Sequence, residues 1–313
     1  MDKLKIFCPI EYGIKDVVEE QILYFGRLDE GIINKNNTFV DFKKNEILNI
    51  LEYTDVEKCD FIYYPNKIHK NTNIDNLIEL SEKYNKKILL FYNDDDDTIF
   101  DFKNSIIFRT SLYKSNKPKN YFSVPAFCND LKNQCNFFYR KKNKVPTIGF
   151  CGAITHPIRK TIIDIINKTE LDKNFIIRGN FWGGDVWGPK VRSEYIQNTL
   201  SSDIVICLRG AGNFSYRFYE TMCLGRIPLV INTDIVLPFD DFIRYDEKII
   251  NIELSNIENL LQEIINFWEK IDDYDKFQKE IVNFWEKNIS PIGFINNLNL
   301  YKNEISNLLH KNS

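Results

Sequence analysis

The sequence predicts an α/β protein built from two parallel-sheet halves. Short apolar runs alternate with amphipathic, helix-length segments in both halves. A polar, lysine-rich stretch interrupts this alternation near the middle. The length of 313 residues, 43% of them hydrophobic and 14% aromatic, is enough to bury two cores of ordinary domain size.

In the first half, Lys5 to Pro9 reads as a strand and Ile14 to Phe25 as an amphipathic helix. Phe61 to Tyr64 reads as a strand, Ile74 to Tyr84 as a helix and Lys87 to Tyr92 as a strand. Between Asn129 and Val145 the apolar period is lost, and Lys141-Lys142-Asn143-Lys144 runs into Pro146. That stretch is the expected linker, dividing the chain into residues 1–145 and 146–313. The second half restarts with a strand from Thr147 to Cys151, a turn at Gly152-Ala153 and a helix from about Pro157. The strand Phe175 to Arg178, a helix near Lys190 to Leu200 and the strand Asp203 to Leu208 follow. Ile257 to Trp268 and Tyr274 to Trp285 read as helices. Two Rossmann-like halves of this kind, facing each other, place a cleft at the carboxyl ends of both sheets, where open α/β folds bind ligands.

Composition excludes several classes. The net charge is −3 with both signs mixed along the chain, so there is no basic stripe for nucleic acid. The first residues hold no apolar run of signal-peptide length and no later segment reaches the length of a membrane span, so a cytoplasmic location is expected. The seven cysteines are scattered without C-x-x-C spacing, which suggests buried thiols rather than a disulfide framework or a zinc site.

The chemistry concentrates in Cys207 to Phe239, CLRGAGNFSYRFYETMCLGRIPLVINTDIVLPF. The apolar run Ile204 to Leu208 feeds a loop whose Gly210 and Gly212 can turn backbone amides toward a phosphate at the start of the next helix. Arg209 adds a fixed positive charge. On that helix Arg217 and Glu220, three apart, share a face, while Phe218 and Met222 point to the core. Gly225 suits a C-cap and Pro228 opens the strand Leu229-Val230-Ile231. In isolation Arg217 and Glu220 read first as a surface ion pair, and Gly210-Ala211-Gly212 as a tight turn. With the glycine loop before them and the Gly-x-x-Pro strand after them, Glu220 is expected to hold ribose hydroxyls and Arg217 or Arg209 a diphosphate.

Two further loops join this group. Gly149 to Ala153, with Gly152 in the turn, precedes His156, Arg159 and Lys160, which either reach a phosphate or form a solvated helix start. Arg178-Gly179-Asn180, with Trp182 and Trp187 beyond, offers a guanidinium and rings for stacking or packing. The acidic run Asp94 to Asp97 follows a strand, as a metal-binding Asp-x-Asp does, but on composition it reads first as a solvated loop. No metal is expected to be required.

The order Arg-Gly loop, Ser215-x-Arg217-x-x-Glu220, Gly225-x-x-Pro228 and Leu237-Pro238-Phe239 resembles the exostosin-like glycosyltransferases of family 47. The resemblance is dense from Ile148 to Phe239. Before it, only Cys59 to Pro65, Ile106 to Arg109 and Val124-Pro125 are similar. It implies a GT-B enzyme of two Rossmann-like domains, the last helix crossing back to the first, that transfers a sugar from a nucleotide diphosphate, UDP favoured, to a carbohydrate acceptor, with inversion and without a bound metal or other cofactor. On that reading Arg209, Gly210, Gly212, Ser215, Arg217 and Glu220, with Gly152, Arg159 and Arg178, form the donor site. Inverting transfer also needs a base for the acceptor hydroxyl, and Glu11, His69, Asp94 and Asp95 are the candidates in the first domain. A fucosyltransferase-like enzyme using GDP-fucose is the alternative enzyme reading, although its Thr-Glu-Lys run is absent. A glycan- or nucleotide-binding protein without turnover is the alternative outside catalysis.

Overall fold

Two all-parallel sheets organise the chain in a computed structural model that describes residues 3–9, 49–179 and 189–310. The protein is α/β, with two Rossmann-like units. One unit takes the chain up to Asn129, then Val236–Phe239 and the stretch from Lys287 onward; the other takes Asp130–Ile235 and Asp240–Glu286.

The sheet of the first unit is formed by β1 (Leu4–Phe7), β2 (Leu51–Tyr53), β3 (Phe61–Tyr63), β4 (Lys87–Tyr92), β5 (Ser105–Arg109) and β6 (Tyr121–Ser123), in the order β2-β1-β3-β4-β5-β6. Apart from the first residue of β4, Lys87, the residues of β3 to β6 are all buried, as expected for parallel strands covered on both faces. Helix α1 (Asp75–Tyr84) carries Asp75 in its first turn and Lys83 in its last, each suited to the local helix dipole, and ends at Asn85 with φ 50°. The expected helix over Ile14 to Phe25 lies outside the described residues. The C-terminal helices α7 (Pro291–Leu300) and α8 (Lys302–His310) belong to this unit. Ser290 caps α7 and Pro291 occupies its first turn. Phe294, fully buried, sets its ring against Phe91, Phe108, Phe127 and Phe239 at centroid distances of 5.1–6.3 Å. The Leu237-Pro238-Phe239 motif therefore serves this core. α8 is tied down by Lys302, 2.9 Å from Asp60.

The second unit is built on β7 (Thr147–Ala153), β8 (Asp172–Arg178), β9 (Ile204–Ile206), β10 (Ile227–Asn232) and β11 (Ile250–Glu253), in the order β11-β10-β9-β7-β8. Its helices are α2 (Pro157–Asn167), α3 (Pro189–Leu200), α4 (Tyr216–Cys223), α5 (Leu260–Glu269) and α6 (Tyr274–Phe284). Ile162, Ile163 and Ile166 form the buried stripe of α2. α4 is short and buried over Phe218–Cys223, and Gly225, at φ 64°, supplies the left-handed residue that ends it. The helix expected from Ile257 begins at Leu260, because a 3-10 turn over Leu254–Asn259 precedes it.

Residues 130–146 are part of the second unit's packing, which differs from the linker and the cut near 145 expected from composition. Arg140 donates through Nε to Asp203 at 2.6 Å, and the Asp203 carboxylate, fully buried, also accepts from the Thr147 N–H. The Phe138 carbonyl accepts from Arg226 and the Asn143 carbonyl from the Trp268 indole. Gln278 bonds both ways to the Arg140 backbone. Specific partners for an otherwise polar segment override its linker-like composition.

Candidate functional site

The strand order of the second unit decides where a ligand can sit. From β7 the chain moves to β8 on one side, then crosses back so that β9 lies on the other side of β7. In open α/β sheets such a reversal of strand order marks where ligands bind, at the carboxyl ends of the two strands flanking it, here β7 and β9. The loops at those two strand ends are Ile154–His156 and Cys207–Ser215.

Arg159 stitches these loops together. It is 4% exposed, and donates from Nε to the Arg209 carbonyl (2.9 Å), from Nη1 to the Ala153 carbonyl (3.0 Å) and from Nη2 to the Leu208 carbonyl (3.0 Å). Arg217 comes from α4 and bonds the Cys151 carbonyl through Nε (3.2 Å) and Nη2 (3.0 Å), its guanidinium 4.9 Å from the Phe150 ring centre. The approach is so close that a Cβ at position 152 would lie 2.0 Å from Arg217 Nη2, which is what the glycine there, at φ 154°, permits. Burial, and after it the neighbouring Arg217, pull the Arg159 guanidinium down to about 9. Among the described residues, both arginines donate to backbone carbonyls, and neither forms an ion pair with a carboxylate.

Glu220 lies one helical turn after Arg217 and is 7% exposed. Its Oε1 is 2.7 Å from Arg192 Nη2, an arginine that α3 contributes. It does not pair with Arg217, contrary to the surface-pair reading of the sequence. Tyr195, also on α3, is buried beside it, and burial followed by the Glu220 charge pushes the phenol well above its ordinary value. Buried Cys207 feels Arg217, Glu220 and Arg159 together, so the three groups share one neighbourhood; burial first of all raises this thiol to about 12.

Other expected donor-site residues take less direct roles. Arg209 curls over its own loop, donating to Asn213 Oδ1 (3.4 Å) and the Ala211 carbonyl (2.9 Å), and Thr233 bonds the same Asn213 oxygen at 2.7 Å. Gly210 and Gly212 have no positive φ; in this site that conformation falls at Gly152. Ser215 is the N-cap residue of α4, though its side chain makes no capping bond. Arg178 reaches α3, pairing with Glu194 at 2.5 Å and bonding the Val191 carbonyl. Lys160 is drawn to Asp164 at 2.5 Å. Trp182 and Trp187 lie outside the described residues. Arg192 and Tyr195 are not legible as site residues, since only the β8 to β9 crossover brings α3 over this strand edge, and Asn213 stands out only through its bonds to Arg209 and to the distant Thr233.

In the first unit Glu11 lies outside the described residues. His69 is exposed, its N–H donating to Thr72 Oγ1 at 2.7 Å. Asp94 pairs with Lys67 at 2.9 Å and accepts the Asp95 N–H at 2.8 Å. Asp96 accepts from the Tyr92 hydroxyl and the Thr98 N–H. The acidic run is thus a loop threaded on cations and hydroxyls at the ends of β4 and β5. No cluster of three or more His, Cys, Asp or Glu residues suited to a metal ion occurs among the described residues. No described helix is long and apolar enough to cross a membrane.

No family model matches the sequence, and no curated protein is similar to it. Among solved structures the chain is similar to the lipopolysaccharide outer core galactosyltransferase WaaB in its apo form, with 11% identity over 96% of this chain and 99% of that chain and a TM-score of 0.48. It is similar also to a glycosyltransferase from Rickettsia africae, with 13% identity over 100% of both chains and a TM-score of 0.43. A third is WaaG, a glycosyltransferase involved in lipopolysaccharide biosynthesis, with 10% identity over 93% of this chain and 97% of that chain and a TM-score of 0.40.

Proposed function

We propose that this protein is a glycosyltransferase of the GT-B type that moves a sugar from a nucleotide diphosphate, a UDP-sugar, to a carbohydrate acceptor in glycan or surface polysaccharide synthesis. The observation that carries the reading is the pair of guanidinium groups, Arg159 and Arg217, held at the β7/β9 switch point without a carboxylate partner among the described residues. Two like charges side by side cost free energy unless an anion joins them, and a diphosphate supplies one at the place where this strand order binds nucleotides. Glu220 lies a turn away as an acceptor for ribose hydroxyls. The order of these residues along the chain, which resembles the exostosin-like family, supports the same assignment.

In the proposed inverting reaction the acceptor oxygen bonds to the anomeric carbon as the bond from that carbon to the diphosphate oxygen breaks. The electron pair leaves with the diphosphate, where Arg217 and the amides of the β9–α4 loop stabilise it, so the reaction is assigned no metal. The hydroxyl proton passes to a general base, a carboxylate or imidazole, for which His69, Asp94 and Asp95 are the candidates among the described residues.

Glu220→Ala tests the assignment. It is expected to weaken UDP-glucose binding about tenfold in calorimetric titration, from loss of hydrogen bonds between a carboxylate and the ribose. Wild-type affinity in a folded Glu220→Ala protein removes Glu220 from the site.

A further inference from the structure

His156 occupies the end of the β7–α2 connection and is the N-cap residue of α2, its Nδ1 accepting the Ile158 N–H at 3.3 Å. A ring nitrogen that accepts a hydrogen bond carries no proton, so the neutral imidazole holds its proton on Nε2. The charged groups around the ring are Arg209 on the β9–α4 loop and Arg159 one turn along α2. Lys160, on the same helix, is engaged by Asp164. Burial, then Arg209, then Arg159 hold the imidazole below its ordinary range, so it is neutral at physiological pH. Protonation would also set a second N–H against the Ile158 N–H and break the cap.

A site that already gathers three guanidinium groups gains little from a fourth full charge, which would add repulsion in the empty state. A neutral donor adds a hydrogen bond to an anion without that cost. We infer that His156 is a phosphate-binding residue of this site, giving its Nε2 proton to a non-bridging oxygen of the ligand's diphosphate while Nδ1 caps α2. The inference rests on the nucleotide-sugar reading above. It extends the donor site to the start of α2, where the backbone N–H groups also favour an anion.

Capping and phosphate binding separate under two substitutions. Asparagine is a good N-cap but cannot present a donor where Nε2 stands, so His156→Asn keeps the helix start and loses the proposed contact. His156→Ala loses both. Titration of the full chain with UDP-glucose, whose phosphates do not titrate near neutrality, is expected to show binding about 10- to 100-fold weaker in His156→Asn, the range for a hydrogen bond to a charged group. Its melting temperature should match wild type, and His156→Ala should show the same loss of affinity with a lower melting temperature. Wild-type affinity in His156→Asn would overturn the inference and leave His156 as a cap alone. If the wild-type chain binds neither UDP nor UDP-glucose, the nucleotide-sugar reading itself fails and this inference with it.

Discussion

Arg217→Met is expected to weaken UDP-glucose binding about a hundredfold, the equivalent of roughly 3 kcal/mol for a lost charge-assisted contact to phosphate. The stability of the unliganded chain should change little. Arg217 gives two bonds to a single carbonyl, that of Cys151, and its removal also relieves repulsion of Arg159. The two effects oppose each other. Arg159 is a poorer probe, because its guanidinium holds the carbonyls of Ala153, Leu208 and Arg209 and its loss would disturb both loops at once. Calorimetric titration together with a melting curve separates the two quantities. A large drop in melting temperature without a change in affinity would make Arg217 a structural residue only.

The second large effect concerns stability. Arg226 is fully buried, and its guanidinium donates to the carbonyls of Leu200, Leu224 and Phe138 and to Gln278 Oε1. Burial lowers it to about 10, which leaves it charged at neutral pH. Arg226→Met fills much of the space but leaves the buried carbonyls of Leu200 and Leu224 without this donor and withdraws it from Phe138 and from Gln278, whose Oε1 keeps the Arg140 N–H; breaking a buried network of this kind costs about 3–5 kcal/mol. Urea unfolding followed by circular dichroism should show a midpoint well below wild type, and the loss should appear in the second unit. Residues 130–146 would be the first to loosen, since Phe138 and Arg140 are held by Arg226, Gln278 and Asp203. An unchanged midpoint would mean that this segment is secured by other contacts.

Much of the fold is legible in the sequence where an element is long enough to carry a period. Helix α2, with Pro157 at its start and isoleucines on one face, and the apolar strand β4 fall within a few residues of their expected bounds. The strands Leu51–Tyr53, Tyr121–Ser123 and Ile250–Glu253 are only three or four residues long, too short to show alternation, and were not expected as strands. That residues 130–146 group with the second unit is hidden in the sequence for a related reason. Composition describes a segment's average polarity, whereas the place of residues 130–146 depends on a few long-range bonds such as Arg140 to Asp203. In the candidate site, Gly152, Arg159, Arg217 and Glu220 were legible as candidates from their residue types and their places at loops and helix starts. Their partners were not, because Cys151, Leu208 and Arg192 become neighbours only through the β8-β7-β9 order. The Leu237-Pro238-Phe239 motif shows the opposite case. It closes the stretch in which the sequence concentrates its chemistry, yet Phe239 packs on Phe294 in the first unit's core.

The most direct test of the nucleotide-sugar assignment is calorimetric titration of the full chain with UDP, GDP, ADP, CMP and UDP-glucose, with and without a chelator, for wild type and Arg217→Met. If the assignment holds, UDP and UDP-glucose bind the wild type, the chelator changes nothing, and Arg217→Met loses most of the affinity. Absence of binding by every nucleotide, or binding that requires a divalent metal and ignores Arg217, would contradict it.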